Sequence, residues 1–132
     1  MFSFKSVRAG LLILILLFVP AILHAEGFSA VKVIPSSEND ALEQKAISVF
    51  LRNVLSKTDA KDGGRTLTIY LERDPSLAGE AFSIAGKGRI YTISASDSRG
   101  LLYGLGRMLH QSSFDDGEFF PGQVCGAARP EK

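Results

Sequence analysis

The stretch that decides the fold runs from residue 80 to residue 111 and reads EAFSIAGKGRIYTISASDSRGLLYGLGRMLHQ. Its first half contains two runs with strand character, Ala81 to Ala85 and Arg89 to Ala95, which are separated by Gly86-Lys87-Gly88. A short glycine-rich turn between two such runs is typical of a β-hairpin, in which neighbouring strands pair antiparallel. The sequence therefore predicts an antiparallel sheet at this point.

The second half of this stretch has the spacing of an amphipathic helix. Asp97 or Ser98 can cap its start, and we expect it to end near Gln111. Gly100 and Gly104 lie on one face of this helix, one turn apart. Glycine is a poor helix former, so we expect both to allow close approach of the helix backbone to a neighbouring element. The apolar face consists of Leu101, Leu102, Leu105, Met108 and Leu109.

The residues upstream predict the rest of the same domain. Phe28 to Ile34 and Thr66 to Leu71 have the β-branched and alternating character of strands. Between them, apolar residues recur at three- and four-residue steps from Leu42 onward, which predicts a second amphipathic helix. Asp40, followed three residues later by Glu43, resembles a capping box, in which each side chain accepts a hydrogen bond from the backbone of the other residue.

The predicted order is strand, helix, three strands and helix, with a further short strand between Glu118 and Val124. We therefore predict an α+β fold: a mainly antiparallel sheet of about four to five strands, with two amphipathic helices on one face, after a signal peptide. A chain of 132 residues suffices for one such domain. It is too short for a complete (β/α)₈ barrel enzyme, which needs about 250 residues.

The N-terminal segment has the three parts of an export signal. Lys5 and Arg8 precede the uninterrupted apolar run from Leu11 to Val19, and Ala25 offers a small residue for cleavage. We predict cleavage after Ala25, which makes residues 1–25 a signal peptide and the protein periplasmic or extracellular. The run is shorter than the about 20 residues of a membrane span, so no stable span is expected after cleavage. An uncleaved anchor and a buried core helix are the alternatives.

Composition excludes several classes of function. The formal net charge of +1 offers no basic surface that would neutralise a run of phosphates, so nucleic acid is not an expected partner. After cleavage, His110 and Cys125 would be the remaining His and Cys. They allow neither an internal disulfide nor a structural zinc site, which usually takes four N/S ligands. We expect no cofactor.

The residues that could carry chemistry do not form a recognisable catalytic constellation. Asp115, Asp116 and Glu118 are acidic neighbours, but glycosidases need two carboxylates that flank the bond to be cut, and we interpret this cluster as a solvated turn. His110 has no visible partner for general-base catalysis, and Cys125 has no adjacent base to lower the pKa of its thiol. The sequence therefore predicts neither catalytic nor metal-binding residues in this chain.

A family resemblance rests on residues 80–122. The pattern Glu-x-Phe-x-Ile, the glycine turn, a second strand and then Asp-x-Arg-Gly-Leu-Leu-Tyr-Gly resembles the ancillary N-terminal domain of bacterial glycoside hydrolases. The families concerned are the α-glucuronidases and the family 20 β-hexosaminidases, whose second domain is of the chitobiase type. In this family Arg99 would lie at the helix start, and the glycines would allow close packing. The matching motif residues are Asp97, Arg99, Gly100, Leu101, Leu102, Tyr103 and Gly104.

The resemblance implies a division of the chain and a partner. Residues 26–125 would be the α+β domain, and residues 126–132 a linker toward a (β/α)₈ barrel, which in this family follows the domain and carries the catalytic carboxylates. No position of this sequence matches those carboxylates. We therefore expect a non-catalytic domain of an exported glycoside hydrolase of carbohydrate metabolism, present here as a truncated or split chain.

The alternative is a free-standing exported module that binds a carbohydrate or another protein. In that case a glycan would be the partner, and aromatic side chains would be expected to stack on its sugar rings. The sequence contains no Trp, and its tyrosines fit packing in the core or at a sheet edge better than sugar binding. These tyrosines are Tyr70, Tyr91 and Tyr103.

Overall fold

The computed structural model describes residues 27–128. The predicted signal peptide and its cleavage site after Ala25 lie outside these residues, as do residues 129–132. Neither helix of the described part is long and apolar enough to cross a bilayer. The elements are β1 (Ala30–Ile34), α1 (Ala41–Leu55), β2 (Thr66–Arg73), β3 (Phe82–Lys87), β4 (Ile90–Ala95), α2 (Ser98–Gln111), β5 (Ser113–Asp115), β6 (Glu118–Phe120) and β7 (Gly126–Ala128).

Five of the strands form one sheet in the order β1-β2-β4-β3-β7. This architecture, with its two helices, confirms the predicted α+β fold class. The pairs β3–β4 and β3–β7 are antiparallel. The pairs β1–β2 and β2–β4 are parallel. In the first pair, α1 carries the chain back to the end of the sheet where β1 began, and in the second, β3 carries it back before β4 starts. The sheet is therefore mixed: its antiparallel part is the predicted hairpin with β7, and its other side is parallel.

Both helices pack on the same face of the sheet. Along β2, Leu67, Ile69 and Leu71 point toward the helices and are at most 3% exposed, whereas Tyr70 on the opposite face is 41% exposed. The buried stripes of the helices meet these strand residues in one continuous core. That core includes Phe28, Ala46, Phe50, Val54, Ile84, Ile93, Leu101, Leu105, Met108 and Phe119.

The central hairpin is confirmed, but its turn has two residues instead of the predicted three, Gly86-Lys87-Gly88. Lys87 pairs with Ile90, so the loop consists of Gly88 and Arg89. Gly88 has a φ of +64°, the left-handed conformation that a tight hairpin requires at this position and that glycine adopts without strain.

A second, smaller hairpin closes one end of the core. β5 and β6 pair through Phe114 and Phe119. Their loop, Asp116-Gly117, has positive φ at both residues, as a two-residue Asp-Gly hairpin turn requires. The buried ring of Phe119 meets Phe50 of α1 edge-on, with ring centroids 6.4 Å apart. Phe28 and Phe119 also exchange two backbone hydrogen bonds, which fix the chain entering β1 onto this hairpin.

The last strand, β7, falls within the range that the sequence analysis assigns to a linker, residues 126–132. Its three residues pair with β3, and Ala128 lies opposite Phe82. These three residues are small and have no apolar periodicity, so the side-chain pattern does not predict a strand here. Backbone hydrogen bonds to β3 form it. Residues 126–128 therefore belong to the sheet.

The helix α2 lies very close to the sheet at Gly104. A Cβ added there would lie 2.5 Å from Cγ2 of Ile93, a fully buried β4 side chain. At Gly106, half a turn further along the helix, an added Cβ would meet no atom within 4 Å. The two glycines of one helix therefore differ: the first is required by packing, whereas the second faces open space.

We expect Gly104→Ala to destabilise the fold by about 1–3 kcal/mol, because the added methyl group overpacks a close contact with the core. Gly106→Ala is the matched control and should stabilise the fold by up to about 1 kcal/mol, the helix preference of alanine over glycine. Urea unfolding followed by far-UV circular dichroism would measure both changes. Equal effects of the two substitutions would contradict the close packing of α2 on β4.

Candidate functional site

The polar residues of the Asp97–Gly104 motif fasten the start of α2 to the start of the hairpin. Asp97 is the N-cap of α2: its Oδ1 accepts a hydrogen bond from the N–H of Gly100 at 2.8 Å, and its Oδ2 accepts one from the N–H of Glu80 at 3.1 Å. Glu80 has a φ of +65°, so its backbone is held in a conformation unusual for a non-glycine residue. The guanidinium of Arg99 lies 3.3 Å from Oε1 of the same Glu80, an exposed pair that contributes little stability.

The apolar residues of the motif pack α2 on the sheet. Leu101 is fully buried in the core. A Cβ at Gly100 would lie 2.5 Å from the carbonyl oxygen of Ala81 and 2.6 Å from Cβ of Ala95. Leu102 is partly buried, and Tyr103 is 36% exposed on the outer side of the helix. The structure therefore uses the motif to join helix and strands, and its side chains do not converge on a common point.

A second polar cluster lies at the same edge of the sheet, centred on Arg73 at the end of β2. The carboxylate of Glu43, which is fully buried, accepts hydrogen bonds from the guanidinium of Arg73 at 2.9 Å and from the backbone N–H of Ser36 at 2.7 Å. Arg73 also donates to the hydroxyl of Ser98 at 2.8 Å and lies 3.7 Å from Oδ2 of Asp40. We call these residues, together with Glu38, whose Oε2 is 3.5 Å from Arg73, the Arg73 cluster.

Four members of the Arg73 cluster lie at the ends of four different elements. Ser36 follows β1, Asp40 caps α1, Arg73 ends β2 and Ser98 begins α2. Asp40 joins the two helix starts directly, because its Oδ1 accepts from the N–H of Glu43 at 2.9 Å and its Oδ2 accepts from the hydroxyl of Ser98. The cluster is therefore a clamp that holds two strands and two helices together.

The charges in the cluster shift two pKa values. The hydroxyl of Ser98, the N–H of Glu43 and the guanidinium of Arg73 together hold the pKa of Asp40 below its ordinary value of 3.8, although partial desolvation acts in the opposite direction. Burial alone would lower the pKa of Arg73, but the hydrogen bond to Glu43 and the negative charges around the guanidinium outweigh burial and raise it. Both shifts favour the charged forms.

The predicted capping box is half present. Asp40 caps α1 as expected, but the carboxylate of Glu43 turns into the core toward Ser36 and Arg73. The helical spacing alone indicates that Glu43 is buried, because it lies on the same helix face as the buried residues Ala46, Phe50 and Val54. A carboxylate on a buried stripe requires a cationic partner, but the spacing alone does not show which Arg or Lys supplies it.

The other residues considered from the sequence lie apart from one another. Asp115 and Asp116 are exposed at the β5–β6 turn, as predicted, whereas Glu118 is half-buried at the start of β6. His110 is exposed in the last turn of α2, and Cys125 is exposed, with its thiol 3.4 Å from the carbonyl oxygen of Gly86. Within residues 27–128 no group of three His, Cys, Asp or Glu residues is placed to hold a metal ion.

The three tyrosines do not form a common surface. Tyr70 is exposed on the face of the sheet away from the helices. Tyr91 pairs in register with the buried Ile69 and is partly buried on the helix side, against the core. Tyr103 lies on the outer side of α2. A platform of several aromatic rings for a sugar chain is therefore not present among them.

The outer side of the helix layer contains an apolar groove of about 70 Å³ between α1 and α2. Apolar side chains near it remain unusually exposed, with Leu42 at 38% and Val49 at 40%. We call this feature the helix groove. It is lined by Ala46, Val49, Phe50, Leu102, Leu105, Gly106 and Leu109.

Comparisons with known proteins find this fold within larger enzymes. No protein-family model and no curated protein matches the chain. Among solved structures, it is similar to a GH138 enzyme targeting pectin rhamnogalacturonan II, with a TM-score of 0.50 and 21% identity over 61% of this chain and 9% of that enzyme.

Two GH20 structures show weaker similarity. The Flavobacterium johnsoniae chitobiase gives a TM-score of 0.47 and 20% identity over 74% of this chain and 17% of its own. A Vibrio harveyi exo-β-N-acetylglucosaminidase gives 0.48 and 15% identity over 73% of this chain and 16% of its own. The chain thus spans a small part of each enzyme, and what it shares with the GH138 enzyme is a fold that occurs in a glycoside hydrolase.

The Arg73 cluster predicts that removing the carboxylate of Glu43 strongly lowers the stability of the fold. Glu43→Ala should destabilise the fold by about 3 kcal/mol, because it leaves the nearly buried guanidinium of Arg73 without its closest anion. Replacing both partners, as Glu43→Leu with Arg73→Met, should recover much of this loss. Glu72→Ala, an exposed carboxylate on the same strand as Arg73, is the control and should change stability by less than about 0.5 kcal/mol. Urea unfolding would measure these changes, and a Glu43→Ala effect as small as the control would argue against the clamp.

The lowered pKa of Asp40 predicts a stability difference that depends on pH. The unfolded carboxyl titrates near 3.8 and the folded one below it, so the stabilisation is present above the unfolded pKa and is lost as pH falls through the folded pKa. Asp40→Asn should therefore lower the urea midpoint of unfolding, and this decrease relative to the wild type should be larger at about pH 5 than at about pH 2.5. Asp62→Asn, in an exposed loop, is the control. A gap that stays constant with pH would contradict the ionic role of Asp40.

Proposed function

We propose that this chain is a non-catalytic domain of an exported glycoside hydrolase of the α-glucuronidase or β-hexosaminidase type, and that it acts by packing against a separate catalytic barrel. In this proposal the N-terminal apolar segment directs export and is removed after Ala25. The chemistry of bond cleavage belongs entirely to the barrel.

The observation that carries the proposal is how the polar residues of the motif are used. Asp97 bonds to the backbone at Gly100 and Glu80, and Arg99 pairs with the side chain of Glu80. Glu43 and Arg73 bond to each other inside the Arg73 cluster. Retaining and inverting glycosidases instead need two carboxylates on either side of a bound sugar. These side chains support a role in holding a fold rather than in cleaving a bond.

The similarity to the GH138 enzyme supports the same interpretation at the level of the fold. The matched region is 61% of this chain but 9% of that enzyme, so the fold makes up a minor part of a glycoside hydrolase.

The coding sequence beyond the codon for Lys132 provides the decisive test. We expect the reading frame to continue into, or to be followed by, a (β/α)₈ barrel of about 250 residues. The exported protein should begin at Glu26 by intact mass. An unrelated gene immediately after a stop codon at this position would contradict the proposal.

Activity and binding assays separate the alternatives. The purified chain should not hydrolyse aryl glycosides, and it should give no signal on a glycan array. Reproducible turnover would make it an enzyme in its own right. Glycan affinity that is lost in Tyr70→Ala, and kept in Tyr103→Ala as its matched control, would favour a free-standing carbohydrate-binding module that uses the open face of the sheet.

A further inference from the structure

The face of the sheet that points away from the helices is open, and part of it consists of parallel strands. β1, β2 and β4 run parallel to one another, and parallel strands in soluble proteins are nearly always covered on both faces. In this domain α1 and α2 cover one face. On the other face, Tyr70 is 41% exposed and Ile90 is 56% exposed. The open face is therefore unusual for parallel strands.

Three apolar side chains lie together on the open face. The register places Ile34 of β1 beside Tyr70 of β2, and it places Ile90 of β4 beside Thr68, two residues before Tyr70. Side chains at such direct and diagonal cross-strand positions are within reach of one another. We call Ile34, Tyr70 and Ile90 the sheet patch. It lies entirely on the three parallel strands.

Charges of opposite sign lie on the two sides of Tyr70 on this face. Lys32 and Lys87 are at the two ends of the cross-strand row that contains Ile90. Glu72 lies two residues beyond Tyr70 on β2, in the next row on the other side. All three charged side chains are exposed, and none forms an ion pair with another residue of the described part of the chain. The open face is therefore basic at one end of the strands and acidic at the other.

We propose that the open face of the sheet is a dimer interface, in which two copies of this chain pack sheet to sheet about a two-fold axis that runs across the strands at Tyr70. This axis reverses the strand direction in the second copy, so the row of Lys32 in each copy lies over the row of Glu72 in the other. Stacked sheets are about 10 Å apart, and both side chains extend into this gap. Each Lys32 can therefore pair with Glu72 of the second copy, and the contact occurs twice. The inference goes beyond the proposed function, because it requires no catalytic barrel.

The charges favour a second copy in this orientation over the alternatives. A two-fold axis parallel to the strands would place the row of Lys32 and Lys87 over the same row of the other copy, and like charges across an interface cost free energy. A partner surface of one sign would oppose either Lys32 or Glu72. A sugar chain would find Tyr70 as the one tyrosine on this face. A second copy in the reversed direction complements both signs of charge.

The size of the open face predicts a weak, reversible dimer. Four strands and three cross-strand rows span about 20 Å in each direction, because strands lie about 4.8 Å apart and same-face neighbours about 7 Å apart along a strand. Stacking two such faces buries on the order of 1,000 Å² in total, which is near the lower limit for a specific interface. We therefore expect monomer and dimer to exchange at micromolar concentrations.

The first test is analytical ultracentrifugation of the full exported chain at increasing concentration. We expect a monomer–dimer equilibrium that Tyr70→Ala weakens by at least about tenfold, because this substitution removes the largest side chain of the sheet patch. Tyr103→Ala truncates a tyrosine of similar exposure on α2 and is the matched control, which should leave the equilibrium unchanged. A chain that remains monomeric up to about 1 mM, or equal effects of the two substitutions, would overturn the proposal.

An exchange of charges tests the orientation of the two copies. Lys32→Glu and Glu72→Lys should each weaken the dimer by about fivefold, because each substitution places like charges opposite one another. The two substitutions in one chain restore opposite charges at both contacts and should recover the wild-type equilibrium. Lys45→Glu, on an exposed position of α1, is the control for the change in net charge. A double variant that does not regain dimerisation would refute the proposed axis and the proposal with it.

Two further results would refute the proposal by assigning the surfaces differently. A dimer that Gly106→Phe abolishes and Tyr70→Ala leaves intact would have its interface on the helix layer. A monomer whose glycan affinity is lost in Tyr70→Ala would assign the open face to a carbohydrate. Circular dichroism establishes that each variant is folded. The outcome is separate from that of the proposed function, because a monomeric chain with a barrel encoded downstream would refute the dimer alone.

Discussion

The structure depends on one buried carboxylate and the cation that neutralises it. Glu43 is fully buried in α1, and transferring its charge into the interior costs several kcal/mol unless hydrogen bonds and an opposite charge compensate. Arg73 at the end of β2 and Ser36 after β1 provide that compensation. Because Arg73 also binds Ser98, the first residue of α2, the same interaction sets where the two helices begin relative to the parallel strands.

The most recognisable part of the sequence serves a related purpose at the same edge. Asp97 links the backbone before β3 to the first turn of α2, while Gly100 and Gly104 let the helix backbone come close to β4 and its neighbours. Each of these residues has a mechanical reason to be present. A motif of this kind therefore indicates the fold of the domain. It carries no information about a reaction, because its polar groups are bonded within the domain.

The sequence predicted what local chemistry determines. Alternation in β2, the cap at Asp97 and the helical stripes were sufficient for the α+β class and for both helices. The parallel pairing of β1 with β2 was not predicted, because it depends on the path of α1 across the sheet. β7 was missed because Gly126 and the alanines after it have no side-chain pattern. The partnership of Glu43 with Arg73 joins residues 30 positions apart, and helical periodicity shows only that such a partner is needed, not where it lies.

Gly106 and Val49, whose identities the packing of the domain does not explain, are both exposed at the helix groove. A domain of this size gains stability when a helix-interior glycine without a packing role is replaced by alanine. Gly106 has no such packing role, and it lines the helix groove together with the exposed Val49. Lys45 and Arg52 are exposed on the same face of α1 as Val49. Within the two helices the exposed charged side chains are basic, because the acidic Glu43 is buried against Arg73. Internal packing does not require this combination of an open gap at Gly106 and an exposed valine on one face of the helix layer.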